Sequence, residues 1–162
     1  MCECISVCFK EVMDKADKTA KRFNHQYIGT EHILLGIIEE GTGTACEVLK
    51  YFGIFDAIKA ETEKLMQAEK DFVSIGRLPL TPRARKVIDY AITMCRKDTD
   101  TEHLLIALIL ESEGVAFQVL SKLGLTLEKA MKITLIIFKS RPQLQPEEQT
   151  VEEQPIETPE GS

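Results

Sequence analysis

The chain predicts an all-α fold made of one four-helix unit written twice. Three observations carry that reading. First, residues 30–53 and 101–124 repeat each other at an offset of 71: Thr30-Glu31-His32-Ile33-Leu34-Leu35 answers to Thr101-Glu102-His103-Leu104-Leu105-Ile106. The register holds through Ile38/Ile109, Glu40/Glu111, Gly43/Gly114, Ala45/Ala116, Val48/Val119, Leu49/Leu120 and Gly53/Gly124. Second, apolar residues in both halves recur at the spacing of one helix face. Third, the glycines that break the pattern fall at matching places in the two copies.

The first helix of each copy carries Phe9, Val12, Met13, Ala16 and Ala20, or Ala84, Val87, Ile88, Ala91 and Cys95. Both series step i, i+3, i+4, i+7, i+11. Their mutual offset is 75, so the second copy is four residues shorter between its first helix and its Thr-Glu-His. Ser6 and Thr81 stand three residues before these faces as N-caps, and Pro82 suits a first helical position. Thr30 and Thr101 read as caps of the second helix. Glu31 and Glu102 then fall in the first turn, where a negative charge complements the helix dipole. Gly43 and Gly114 precede a third, short helix with Ala45, Val48, Leu49 and Phe52, or Ala116, Val119, Leu120 and Leu123. Gly53 and Gly124 suit the position just past its end. A fourth helix follows around 56–68 and 127–138. The β-branched run Ile133–Phe138 also fits a strand, and the repeat favours helix.

Residues 70–80 lack helical period and carry Gly and Pro, as a link between repeats at about 5–69 and 81–139. The segment 140–162 is rich in Pro, Gln, Glu and Thr and is expected to be a disordered acidic tail. Residues 141–162 carry −5 of the net −6, which leaves the remainder near neutral. Neither part has the basic character of a nucleic-acid binder, and the aromatic content of 6% without Trp argues against a base-stacking platform. No signal-peptide pattern and no run of about 20 apolar residues is present, so no membrane segment is expected. Five cysteines without framework spacing point to a reducing, cytoplasmic setting.

Gly29-Thr30-Glu31-His32-Ile33-Leu34-Leu35-Gly36 and Leu80-Thr81-Pro82-Arg83-Ala84-Arg85-Lys86-Val87 closely resemble motifs of the double Clp-N repeat. This is the amino-terminal domain of the Clp/Hsp100 unfoldases, nearest the ClpC type, and the resemblance covers roughly residues 5–138. It implies eight helices with pseudo-twofold symmetry and a role in binding substrates and adaptors rather than in catalysis. It also implies that Glu31 and Glu102 help recognise phosphorylated arginine, with Ser6 and Thr81 at the hydroxyl position beside each pocket. The nearest approach to a phosphate-binding loop, Gly36–Gly43, lacks the Gly-Lys-Ser/Thr ending, so no ATPase motor and no cofactor are expected.

Two departures bear on the pockets. The second Thr-Glu-His follows Lys97-Asp98-Thr99-Asp100, whose carboxylates repel a phosphate unless turned away. The family's first-helix Arg is Arg83 in the second copy but Cys8 in the first. His32 and His103 each stand beside a single Glu without further ligands at helical spacing. They read as hydrogen-bonded structural histidines, and no metal site is expected. No nucleophile or oxyanion loop accompanies them, which argues against an enzyme. Cys2, Cys4 and Cys8 read as a frayed end with Cys8 facing the core, or as a soft-metal or redox site. Cys46 and Cys95 read as packing residues. Arg83, Arg85 and Lys86 read as a solvated helix face or as a docking patch for an acidic partner. The function expected is capture of substrate proteins, peptides or adaptors for Clp-dependent proteolysis. The alternative is a regulatory subunit docked on a Clp ATPase ring.

Overall fold

The computed structural model describes residues 6–66, 76–94 and 100–140. Expectations for Cys2, Cys4, Cys95, Lys97, Asp98, Thr99, residues 70–75 and the tail from 141 fall outside these. Among the described residues eight helices run in order: α1 (Val7–Arg22), α2 (Thr30–Glu40), α3 (Gly43–Tyr51), α4 (Phe55–Leu65), α5 (Pro82–Met94), α6 (Thr101–Glu111), α7 (Val115–Lys122) and α8 (Leu127–Ser140). α1–α4 and α5–α8 correspond one to one. Ile133–Phe138 is helical and belongs to α8, which settles the strand alternative against, and α8 runs on to Ser140.

The periodic residues are buried as their spacing requires. Phe9, Val12, Ala16 and Ala20 on α1, and Ala84, Val87 and Ala91 on α5, lie in the core, with Met13 and Ile88 partly buried beside them. The core is one continuous cluster through both copies, and the two halves interlock within it. α1 packs on α2 and α5 on α6, but α3 packs mainly on α6 and α8 of the other copy, while α7 packs on α2 and α4 as well as α6. Each third helix therefore buries its apolar face largely against the other half.

The helix ends follow local chemistry. Ser6 caps α1, its Oγ accepting from Phe9 N–H at 3.0 Å, and Thr81 caps α5, its Oγ1 accepting from Ala84 N–H at 3.1 Å. Gly53 and Gly124, at φ +70° and +86°, close α3 and α7. Their left-handed conformation turns the chain so that Ile54 N–H reaches Leu49 O and Leu125 N–H reaches Leu120 O, at 3.2 and 2.9 Å. Of the link, residues 76–80 form a strap that leads into Thr81. Leu78 N–H donates to the Asp17 carboxylate of α1 at 2.9 Å, and a parallel bridge joins Leu80 to Ile28.

Thr30 and Thr101 are not the caps expected. α2 is capped by Gly29 and α6 by Asp100, and each threonine is the first helical residue. The reason is the histidine three residues past each cap. Gly29 N–H donates to His32 Nδ1 at 2.8 Å, and Asp100 N–H donates to His103 Nδ1 at 3.1 Å. The imidazole performs the reach-back that Glu or Gln performs in an ordinary capping box. The threonine hydroxyls instead cross to the other copy. Ala45 N–H at the start of α3 donates to Thr101 Oγ1 (3.2 Å), and Ala116 N–H at the start of α7 donates to Thr30 Oγ1 (3.4 Å).

Candidate functional site

The four residues implied to form binding pockets sort into two pairs, each assembled from both copies. The strap brings Thr81 to the start of α2. Ile28 N–H donates to Pro79 O at 2.8 Å, and Thr81 N–H donates to Ile28 O at 2.9 Å, one residue before the Gly29 cap. Glu31 thus shares a region with Thr81 of the other copy. The counterpart is built at the start of α6, where Ser6 Oγ donates to Asp100 Oδ1 at 2.9 Å. Glu102 thus shares a region with Ser6.

The two regions differ above all at the cap position. In the first, Glu31 is partly exposed and its carboxylate lies back over Gly29: a Cβ on Gly29 would stand 2.5 Å from Glu31 Oε2. Any larger cap residue displaces that carboxylate. In the second, Asp100 stands where Gly29 stands. Its Oδ1 accepts from both Thr101 N–H (2.7 Å) and Ser6 Oγ–H (2.9 Å). Glu102 keeps the same relation to its histidine as Glu31, at 3.7 against 3.8 Å from Nδ1, but is only 4% exposed. Glu31 is therefore partly exposed and Glu102 is covered, although the resemblance implies one role for both.

His32 is fully buried, and its Nδ1 is occupied as an acceptor from Gly29 N–H. Its proton therefore sits on Nε2, which faces His25 Nδ1 at 2.7 Å. Burial, and then the neighbouring His25, push the His32 pKa down to about 3, so this imidazole is neutral. Burial also lowers His103, with Asp100 partly offsetting it. Both histidines are structural, as expected, but His32 is not alone with its Glu. His25 joins it from the turn after α1, where no helical period could announce it.

His25, Glu31 and His32 gather ligand atoms within 4.8 Å of one another. The two rings are joined by a hydrogen bond, while Glu31 Oε1 stands 3.8 Å from His32 Nδ1, beyond hydrogen-bonding distance. Two nitrogens on one tetrahedral zinc, at about 2.0–2.1 Å each, stand roughly 3.3 Å apart, whereas these rings meet at 2.7 Å.

The basic residues of α5 do not act together. The Arg83 guanidinium donates to Glu113 O at 2.5 Å and lies 3.6 Å from the Glu113 carboxylate and 3.9 Å from that of Glu111. It is committed to the α6–α7 turn. Lys86 lies over the Tyr90 ring, 5.8 Å from its centroid, and Arg85 is exposed. Cys46 is buried, donates to Ile37 O at 3.1 Å and is raised by burial to about 11, as a packing cysteine should be. Cys8 is half-buried within α1 rather than on a frayed end. No single helix among the described residues is long and apolar enough to cross a membrane.

An interlocked pair of four-helix repeats with such paired helix starts defines a Clp-type amino-terminal domain, and comparison with known proteins agrees. The family model of the Clp repeat (R) N-terminal domain matches residues 5–101, and the chain belongs to this family. The ATP-dependent Clp protease ATP-binding subunit ClpA homolog of Cyanidium caldarium is 45% identical over 124 residues, covering 74% of this chain and 14% of that protein. ClpC of Staphylococcus aureus (strain USA300) is 44% identical over 126 residues, covering 75% of this chain and 15% of that protein. The chain thus spans 14–15% of the length of these relatives. Among solved structures, the N-terminal domain of ClpD from Arabidopsis thaliana superposes with a TM-score of 0.64 at 20% identity, covering 85% of this chain and 96% of that one. The Hsp104 N-terminal domain from Candida albicans gives 0.65 at 13% identity, covering 85% and 93%. At these identities the likeness is one of fold.

Proposed function

We propose that the chain is a non-covalent capture module that takes substrate proteins or adaptors in the cytoplasm and presents them for Clp-dependent proteolysis. The observation that carries this reading is the exposed edge of the Glu31 carboxylate beside the glycine-capped start of α2. A guanidinium pairs with a carboxylate, and a phosphate suits the N–H groups and positive dipole end of a helix start. An arginine phosphorylated on its side chain offers both groups together, and Thr81 adds a hydroxyl at the rim. Tyr27, 43% exposed and two residues before Gly29, supplies apolar surface for the flanking peptide. Affinity then comes mainly from apolar contact, with the charges setting selectivity. No bond is made or broken in this function.

Calorimetric titration with phosphoarginine and with arginine tests it, on wild type and on Glu31→Ala. Wild type should prefer phosphoarginine. Glu31→Ala should weaken it by about tenfold or more, the scale of one charge-assisted hydrogen bond. Negligible, equal heats in all titrations remove this ligand. A pull-down then separates the roles: a mixed set of clients supports capture, and Clp ATPase subunits alone support the regulatory reading.

A further inference from the structure

Asp100 sits at the start of α6 in the manner of a bound ligand. One carboxylate oxygen takes the first N–H of the helix, Thr101 N at 2.7 Å, and the hydroxyl of Ser6 at 2.9 Å. That hydroxyl oxygen itself accepts from Phe9 N–H at the start of α1. A single anionic group thus joins the starts of two helices from opposite copies. The matching position in the first copy is Gly29, which has no side chain to place there and leaves its room to Glu31. The carboxylate that should meet a guest is partly exposed beside the glycine, and 4% exposed beside the aspartate.

We propose that Asp100 is a built-in occupant that closes the second helix start, so that the chain holds one guest group, at Glu31 and Thr81, instead of two. The inference rests on the capture reading for the first copy and adds what decides its valency. The residue at position 29 or 100 sets whether its region is open. Glycine leaves the helix N–H groups and the glutamate to a guest. Aspartate supplies the anion itself, and its negative charge repels a second anion. The chain is then a monovalent binder on a two-fold scaffold. A client carrying two marks is held through one of them, without the gain in avidity that two linked sites confer.

The test is a phosphoarginine titration of the full chain, wild type, Asp100→Gly and Glu31→Ala. Calorimetry gives the stoichiometry, and the backbone amide signals of Thr30 and Thr101 locate the ligand. Wild type should bind one equivalent, with the Thr30 amide moving and the Thr101 amide still. Asp100→Gly should bind two, with both amides moving. Glu31→Ala should abolish the Thr30 response without creating one at Thr101. If removing the cap costs too much stability, as a thermal melt will show, Asp100→Ser keeps a capping oxygen without the carboxylate and should open the site in the same way. Two equivalents on wild type, or one on both Asp100 variants, overturns the proposal. Binding to the Asp100 variants at Thr101 with none to wild type keeps the role of Asp100 and sinks the capture reading of the first copy. Silence in every variant ends both.

Discussion

His32 shows how one buried residue ties local folding to the site. Its Nδ1 fixes the N–H of Gly29, the residue whose lack of a side chain leaves room for the Glu31 carboxylate, and its Nε2–H is spent on His25. A folded pKa near 3 means that the native state refuses a proton that the unfolded chain accepts below about 6.5. Stability is therefore complete above that value and is lost as pH falls toward the folded pKa, by up to about 1.4 kcal/mol per pH unit for such a histidine. His103 is shifted in the same direction and adds to the slope. Asp17 acts lower. Burial alone would raise it, but the Leu78 N–H and the Lys21 ammonium hold its carboxyl below the usual range, so its contribution fades only as pH falls below about 4. Denaturant melts between pH 7 and 4.5 should show stability falling throughout. His32→Ala should be less stable at pH 7 by about 2 kcal/mol or more, from a lost acceptor and a cavity, with a shallower pH dependence. A flat wild-type profile would contradict the neutral, buried assignment.

At the scale of the helices, the crossed hydroxyls explain two glycines. Gly43 and Gly114 are readable as breaks, and breaks they are: Gly43 holds a left-handed φ of +86° that itself favours glycine, and both are also pressed by the other copy. A Cβ on Gly114 would stand 2.5 Å from Thr30 Oγ1 and 2.9 Å from Glu111 Oε2, and one on Gly43 would stand 2.7 Å from Thr101 Oγ1. Each glycine gives a threonine room to reach the third helix. Thr30→Ala and Thr101→Ala should each cost about 1 kcal/mol, as for a lost N-cap. Gly114→Ala should cost about 1–3 kcal/mol, the usual range for overpacking. Paired with Thr30→Ala it should cost less than the sum, because the obstructing hydroxyl is gone. Strict additivity in urea melts would show that the two residues do not meet. Helix faces, the Ser6 and Thr81 caps and the Gly53 and Gly124 stops were legible because each depends on neighbours a few residues away. The caps of α2 and α6 were misread by one position, because His is a rare partner for a capping box. His25 was missed because it lies in a turn. The tie between Asp100 and Ser6 was missed because the two stand 94 residues apart, and no local pattern announces the burial of Glu102.

For the whole molecule, the duplication was plain in the spelling of the chain, while the way the copies share their third helices was not. Periodicity identifies which face of α3 is buried but is silent on what buries it, and the natural guess from a repeat is that each unit closes on itself. Here Ala45, Val48 and Leu49 of α3 are buried and α3 packs mainly on α6 and α8, while α7 packs in part on α2 and α4. A fragment of residues 1–80 retains the strap as far as Leu80, with the Leu78 bond to Asp17 and the Ile28 bond to Pro79, and loses only the Thr81 end of it. It still loses the cover of α3 and the cap that Thr101 provides. Uncovering a Val or Leu side chain costs about 1.5–3 kcal/mol, and two such residues on α3 alone outweigh the slim margin of a unit half this size. The fragment 1–80 should therefore show little cooperative melting by circular dichroism. Addition of the fragment 81–162 at equal concentration should restore helix content and a single transition, because the interlocked core forms only from both. A first half that melts cooperatively alone would mean that the repeats are independent, and the pairing of Glu31 with Thr81 across the copies would then be an incidental contact rather than a consequence of the fold.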